Sequence, residues 1–462
     1  MKMKKKITID YTEKYPLFTQ DMKKDYTILI PDMLPWHFEL FVHAIRQEGY
    51  KCEVLHNEGR AVIDEGLKHI HNDMCYPALC VLGQYFDALK SGKYDLDKTA
   101  VLIIQSGGGC RASNYISLYR KAFRAEYPQI PVLSLNFVGL EKGNGLNMTF
   151  RLLKKLSYGV YYGDLIMWLF NQVKPYEENE GDAHKTRLAC LEAIKKAYDD
   201  GSYTKFKRQA KYIMNAFAAV SVRKEEKVRV GIVGEIYVKY SPLGNSHLED
   251  FLLSEGCEPV AQPLLEFVLY CVINGVNDAK FYGINKKLAF IYRIAYKVLY
   301  KKERQLIKWM KQQGRFQPFH DFEHLRALGN KVCNQGVKMG EGWVIPAEMA
   351  GLSESGVNNI VCAQPFGCLP NHIAGKGATR AVKDRYPDLN VVPVDYDPSA
   401  TRVNQENRIK LMLSTAQKNL ADEASGNPQK TEQKARKYTV SKSPKQKRFH
   451  NNLKRRAQGE PQ

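Results

Sequence analysis

The stretch AVLIIQSGGGCRASNYISLY, Ala100 to Tyr119, decides the fold. Val101 to Ile104 is an apolar run of the kind a strand carries when both its faces are covered. Gly107, Gly108 and Gly109 then let the backbone turn sharply and let another group come close. Cys110 and Arg111 follow, and from Ser113 the residues Tyr115, Ile116, Leu118, Tyr119, Ala122 and Phe123 recur with helical spacing. A strand, a glycine turn and a helix start put backbone N–H groups and the positive end of a dipole beside one sulfur, which favours a thiolate or an anionic cofactor. The plainer reading of the same residues is a flavodoxin-like turn with an incidental cysteine.

Working outward, apolar strand patterns at 27–31, 52–55 and 131–137 alternate with helical patterns at 36–47, 61–70 and 78–89. That alternation predicts a mostly parallel, doubly wound sheet, with ligands beyond the carboxyl ends of its strands. Residues 146–220 hold no strand pattern. A second unit opens with a strand at 228–236 and a helix closed by Gly256. A long helical region at 264–310 follows, then strands at 359–362 and 390–394 and a final helix carrying Ile409, Leu411, Met412 and Leu413. The expected fold is α/β: two flavodoxin-like (Rossmann-like) doubly wound parallel-sheet domains with helical insertions. Residues 1–145 form the first domain and 146–225 a helical connection. Residues 226–420 form the second, with its helical insertion at 264–340, and 421–462 a basic tail too polar to order itself.

The chain of 462 residues is 44% apolar and 26% charged, an ordinary balance for a globular protein with two or three cores. No apolar window is long enough to span a bilayer and no signal-peptide core follows the basic start, so a cytoplasmic protein without a membrane is expected. The net charge of +20 is uneven: the tail from Ala421 has eleven Lys/Arg against four Asp/Glu, and four lysines lie in the first six residues. The body is therefore unremarkable, and the charge alone does not make it a nucleic-acid binder. In a reducing compartment the ten cysteines are core residues, metal ligands or redox groups rather than disulfides.

Three cysteines share one context. Cys75, Cys110 and Cys368 each stand at or just before a helix start beside Gly or Pro, two in the first unit and one in the second. Three thiolates converging from strand ends have the chemistry to hold an iron–sulfur cluster with one iron site open. Chance alone also puts some of ten cysteines in turns, and no tight ferredoxin-like run is present. His320-Asp321-Phe322-Glu323-His324 matches an inverted zincin motif, with both histidines on one helical face, but lacks a third ligand. His69 and His71 diverge on a helix and read as surface or capping residues. Cys52, Cys190, Cys257, Cys271 and Cys333 read as small core residues. Tyr203, Phe206 and Tyr212, interleaved with Lys and Arg, read as a helix with a solvated basic face.

NDMCYPALCVLGQYFDAL, IIQSGGGCRASNYISLYRKAF, VGEIYVKYSPLGN and CAQPFGCLPNHIAGKG, in this order, resemble the 2-hydroxyacyl-CoA dehydratase family, especially the dehydratase-like part of the acyl-CoA dehydratase activase-related proteins. The resemblance spans residues 27–413. It implies two flavodoxin-like domains and a [4Fe-4S] or double-cubane [8Fe-9S] cluster held by Cys75, Cys110 and Cys368, with Cys80 and Cys362 as substitutes. It also implies a homo- or heterodimer and a small acyl-CoA-type substrate that receives one electron at its thioester. No phosphate-cradling G-x-x-x-x-G-K-[ST] is present, so a separate ATP-hydrolysing activator protein is the expected electron source. Arg111 is a candidate to offset cluster charge, or an ordinary surface arginine. The alternatives are a double-cubane-type reductase for another small molecule, and a non-catalytic scaffold whose basic tail contacts an acidic partner or RNA.

Overall fold

A computed structural model describes residues 15–71, 73–105, 109–136 and 146–424. The first lobe runs β1 (Thr27–Pro31), α1 (Pro35–Arg46), β2 (Lys51–Leu55), α2 (Arg60–Leu67), α3 (Tyr76–Lys90), β3 (Thr99–Gln105), α4 (Tyr115–Glu126) and β4 (Val132–Asn136). Helices α5 (Phe150–Val173), α6 (Asp182–Asp199) and α7 (Phe206–Ala218) follow. The second lobe contains β5 (Arg229–Gly234), α8 (Ile236–Tyr240), α9 (Pro242–Asn245), α10 (Leu248–Ser254) and β6 (Glu258–Ala261). Helices α11 (Leu264–Asn277), α12 (Lys286–Gln313), α13 (Phe322–Val332) and α14 (Val344–Glu354) come next. Then follow β7 (Asn359–Pro365), α15 (Thr379–Lys383), β8 (Asn390–Tyr396) and α16 (Arg402–Ala424).

Each lobe is built on a four-stranded, all-parallel sheet, ordered β2-β1-β3-β4 in the first and β6-β5-β7-β8 in the second. The two orders are the same arrangement used twice, the flavodoxin-like order with its reversal between the first and third strands. The expected fold class is therefore the observed one. The central strands are apolar throughout because helices cover both faces: β5 buries every residue after Arg229. Gly234 ends β5 with φ 136°, and any side chain there would collide with the Ala363 carbonyl of β7. Only glycine lets the two strands part this closely before the chain turns into α8.

Two differences from the sequence pattern stand out. β6 is an additional strand, Glu258-Pro259-Val260-Ala261, tolerating proline because it is an edge strand. The long helical region at 264–310 is two helices, parted by a π-helical turn and by Gly283 and Asn285, both in the left-handed region. By internal contacts the chain forms one unit at Met1–Met412, holding both sheets, and a second at Leu413–Gln462. Helix α16 continues to Ala424, beyond the expected start of the tail at 421, and 425–462 lie outside the described residues.

The lobes share their core. One apolar cluster runs from Trp36 and Leu40 of α1 through Tyr162, Leu165 and Leu169 of α5 to Trp343 at the start of α14. At its centre, the wholly buried Asp164 of α5 accepts a hydrogen bond from His37 Nε2 of α1 at 2.8 Å. It also accepts from the Leu264 and Leu265 N–H groups, at 2.7 and 2.8 Å. A carboxylate from one helix thus caps the N-terminus of another, where four N–H groups need partners. Gly163 makes room, since a Cβ there would enter the His37 ring.

A row of buried acids lies behind this joint. Lys239 Nζ pairs with Glu348 Oε1 at 3.1 Å, both nearly inaccessible. Glu266 is 1% exposed, and neither of its carboxyl oxygens has a hydrogen-bond partner among the described residues. Burial, then the Glu348 charge, holds the Glu266 carboxyl well above the usual range. The folded state therefore favours the protonated acid. This contribution is complete below the unfolded carboxyl range and is lost as pH rises toward the folded pKa.

Two outcomes are expected. Asp164→Ala leaves two buried N–H groups and His37 unpaired, and a urea melt should show a loss of about 3–5 kcal/mol; a loss below about 1 kcal/mol would contradict the joint's role. Glu266→Gln carries no ionisable proton, so its stability relative to wild type should rise as pH climbs above the ordinary carboxyl range, by up to about 1.4 kcal/mol per pH unit until the folded carboxyl ionises. A flat difference would mean that Glu266 is not held protonated.

Candidate functional site

The functional edge is the one beyond the carboxyl ends of β3, β5 and β7. Cys75 caps α3 in an extended conformation (φ −172°, ψ 133°), and Pro77, in the first turn, needs no N–H partner. Cys75 is 8% exposed, and the Tyr115 hydroxyl lies near its sulfur. Cys110 follows β3 and opens the 3-10 turn Arg111–Asn114. Its carbonyl takes the Ser113 N–H at 3.2 Å and the Ser113 hydroxyl at 2.7 Å, which fixes the turn. Cys368 follows β7 and accepts the Asn371 side-chain amide at 3.3 Å. Cys75 lies within electrostatic reach of both Cys110 and Cys368, which puts the three cysteines in one neighbourhood, although their sulfurs are not all within 4.8 Å of one another. Gly107 and Gly108 lie outside the described residues, while Gly109 faces the Met339 thioether across the cleft.

Two glutamates complete the donor set. Glu235 follows β5 and accepts the Val238 N–H at 2.8 Å, capping α8. Glu341, buried in the loop before α14, accepts the Ile236 N–H at 3.0 Å on the same helix start. Both act on all three cysteines. Burial pushes the Cys75 thiol up to about 12, with Glu235 adding to it, and burial also raises Cys110 and Cys368. Burial raises both glutamates as well; for Glu235 the Glu341 charge adds to it. Lys239 is a cation acting on the pair, and it is already bound to Glu348. The set is one that holds protons or a cation, because five ionised acids cannot share a buried cleft unpaired.

Arg111 is exposed, and its guanidinium bonds to backbone carbonyls. Its Nη1 donates to the Asp73 and Met74 carbonyls, just before Cys75, and packs against Gly367, just before Cys368. One side chain from the Cys110 turn thereby ties together the backbones of the other two cysteine loops.

The reserve cysteines separate. Cys80, one turn into α3, is fully buried beside Tyr76 and within electrostatic reach of Cys75. Cys362 sits within β7 beneath Gly375, near Glu348 and Asp395, apart from the other sulfurs. Cys52, Cys190 and Cys257 are buried as expected, but Cys271 is exposed and Cys333 partly so, since they fall on an uncovered face and a helix end.

The zincin-like motif does not form a site. Helix α13 starts only at Phe322, so His320 is off the helix and bonds Gln262 and Ser355, each at 3.1 Å. His324 pairs with Glu354 at 2.6 Å, and Glu323 holds Tyr296 and Arg326. His69 corrects the surface reading. It is half-buried, its ring edge-to-face with Phe86, and reaches Glu65 and Glu126 at 3.4 and 3.1 Å. Those three ligand atoms lie within 4.8 Å of one another, but the Lys68 and Lys90 ammonium groups already supply the cation there. A cavity of about 150 Å³ at the amino ends of β5 and β6, lined by Trp168, Arg229, Glu258 and His320, is on the sheet edge away from the cysteines.

Sequence reasoning missed Glu235 and Glu341. Glu235 is legible only as the residue after a strand-ending glycine, and Glu341 as the acid within the Gly340–Gly342 turn. No protein-family model matches this sequence, and no curated protein sequence matches it.

Proposed function

We propose that the chain is an iron–sulfur redox protein of the 2-hydroxyacyl-CoA dehydratase type, with Cys75, Cys110 and Cys368 as the protein ligands of the cluster. What supports the reading is that Cys75, Cys110 and Cys368 lie in one neighbourhood with Glu235 and Glu341, five groups from five loops within electrostatic reach of one another. Iron–sulfur centres are held by thiolates, and a bound metal deprotonates a coordinating thiol outright, which removes the cost of burial. When bound, the cluster supplies low-potential electrons and a Lewis-acidic iron.

The residues of this chain do the rest. The hydrogen bond from the Asn371 side-chain amide to the Cys368 sulfur would temper its negative charge and so tune the potential of the group it holds. Arg111 keeps the three loops in register. Glu235 and Glu341, both biased toward the protonated form by burial, hold protons at the cleft for a substrate oxygen. The substrate in this reading is a small acyl-CoA-type thioester. A separate ATP-hydrolysing activator delivers the electron, and the working form is a homo- or heterodimer.

Anaerobic purification or reconstitution with iron and sulfide should give a brown protein with broad visible absorbance. Cys75→Ser, Cys110→Ser and Cys368→Ser should each lose most of the bound iron, whereas Cys362→Ser should retain it. A colourless protein, or iron retained in all three single variants, would refute the assignment. Without an added activator the pure chain should not hydrolyse ATP; turnover by the chain alone would remove the need for a second protein.

A further inference from the structure

Among the described residues no helix is long and apolar enough to cross a membrane, yet one helix leaves an apolar face uncovered. Helix α12 packs through Ala289, Tyr296, Glu303 and Leu306, all buried. On the opposite side, Phe290, Ile294 and Val298, four residues apart, form a row that is 64%, 50% and 56% exposed. Ile291, at 60%, broadens it. Arg293, Lys297 and Lys301, also four apart, make a second exposed row directly beside the first. From Ala279 to Lys302 the chain has seven Lys/Arg and no Asp/Glu.

We propose that this face of α12 is a docking surface for an anionic lipid bilayer, on which the helix lies in the plane of the headgroups. The charge decides among occupants. A second copy would bring an identical row of cations against the first, which is repulsive. Nucleic acid satisfies the cations but has no use for exposed Ile291, Ile294 and Val298. A bilayer interface takes both rows at once, with apolar side chains below the headgroups and Lys and Arg among the phosphates. The basic runs Lys442-Ser443-Pro444-Lys445-Gln446-Lys447-Arg448 and Lys454-Arg455-Arg456 add attraction to an anionic surface, about 1 kcal/mol per Lys or Arg near it. The proposal is independent of whether the cysteines hold a cluster.

The test is co-sedimentation of the full chain with phosphatidylcholine vesicles, with and without about a quarter phosphatidylglycerol, at about 0.1 M and about 1 M salt. Wild type should pellet with the anionic vesicles at low salt and stay in solution with the neutral ones. The triple variant Phe290→Ser/Ile294→Ser/Val298→Ser removes only exposed side chains, so it should keep its melting temperature while its partition falls about tenfold or more. If that variant fails to fold, Arg293→Glu/Lys297→Glu decides, and should abolish the preference for anionic vesicles. The proposal is overturned if wild type ignores anionic vesicles, or if variants that fold bind as well as wild type, which leaves the tail alone responsible. It is equally overturned if the apolar row supports a dimer, or binds an acidic amphipathic peptide, without vesicle binding.

Discussion

Asp164 is the group on which the arrangement of the two lobes turns. A buried carboxylate is costly unless its lone pairs are filled, and here three donors fill them: His37 and two N–H groups at the start of α11. Those donors belong to the first lobe, through α1, and to the second, through the helix that leaves β6. Because breaking one contact strands the others, the joint has one low-energy geometry rather than a range. The shared apolar core around α5 supplies the attraction between lobes, and the Asp164 joint selects the orientation.

That orientation matters because the cleft is assembled from both lobes. Cys75 and Cys110 come from one sheet, and Glu235, Glu341 and Cys368 from the other, so a small rotation about α5 would separate the donors. Arg111 provides a local counterpart to Asp164, holding carbonyls of the Cys75 loop while lying against the Cys368 turn. Rigid elements thus set the site to the first order, and the Arg111 guanidinium trims it through Nη1.

Much of this was legible in the sequence. Strands β1, β3 and β7 announce themselves as short apolar runs, and the glycines and prolines beside Cys75, Cys110 and Cys368 mark turns at strand ends. β6 was hidden because four residues including Pro259 carry no periodicity, and only its place at the sheet edge makes the proline acceptable. Asp164 and Glu266 were hidden for a different reason. Acids in a helical pattern read as solvent-facing, and burial depends on neighbours from distant segments, His37 being 127 positions from Asp164. The uncovered face of α12 was equally invisible, since periodicity announces a helix but not which side its neighbours leave bare.

The central claim is that Cys75, Cys110 and Cys368 bind one iron–sulfur group. Its most direct test is anomalous diffraction at the iron edge from anaerobically grown crystals. The account predicts iron density bounded by those three sulfurs, between the carboxyl ends of β3 and β7. Iron absent from the cleft, or found instead beside Glu65, His69 and Glu126, would contradict it.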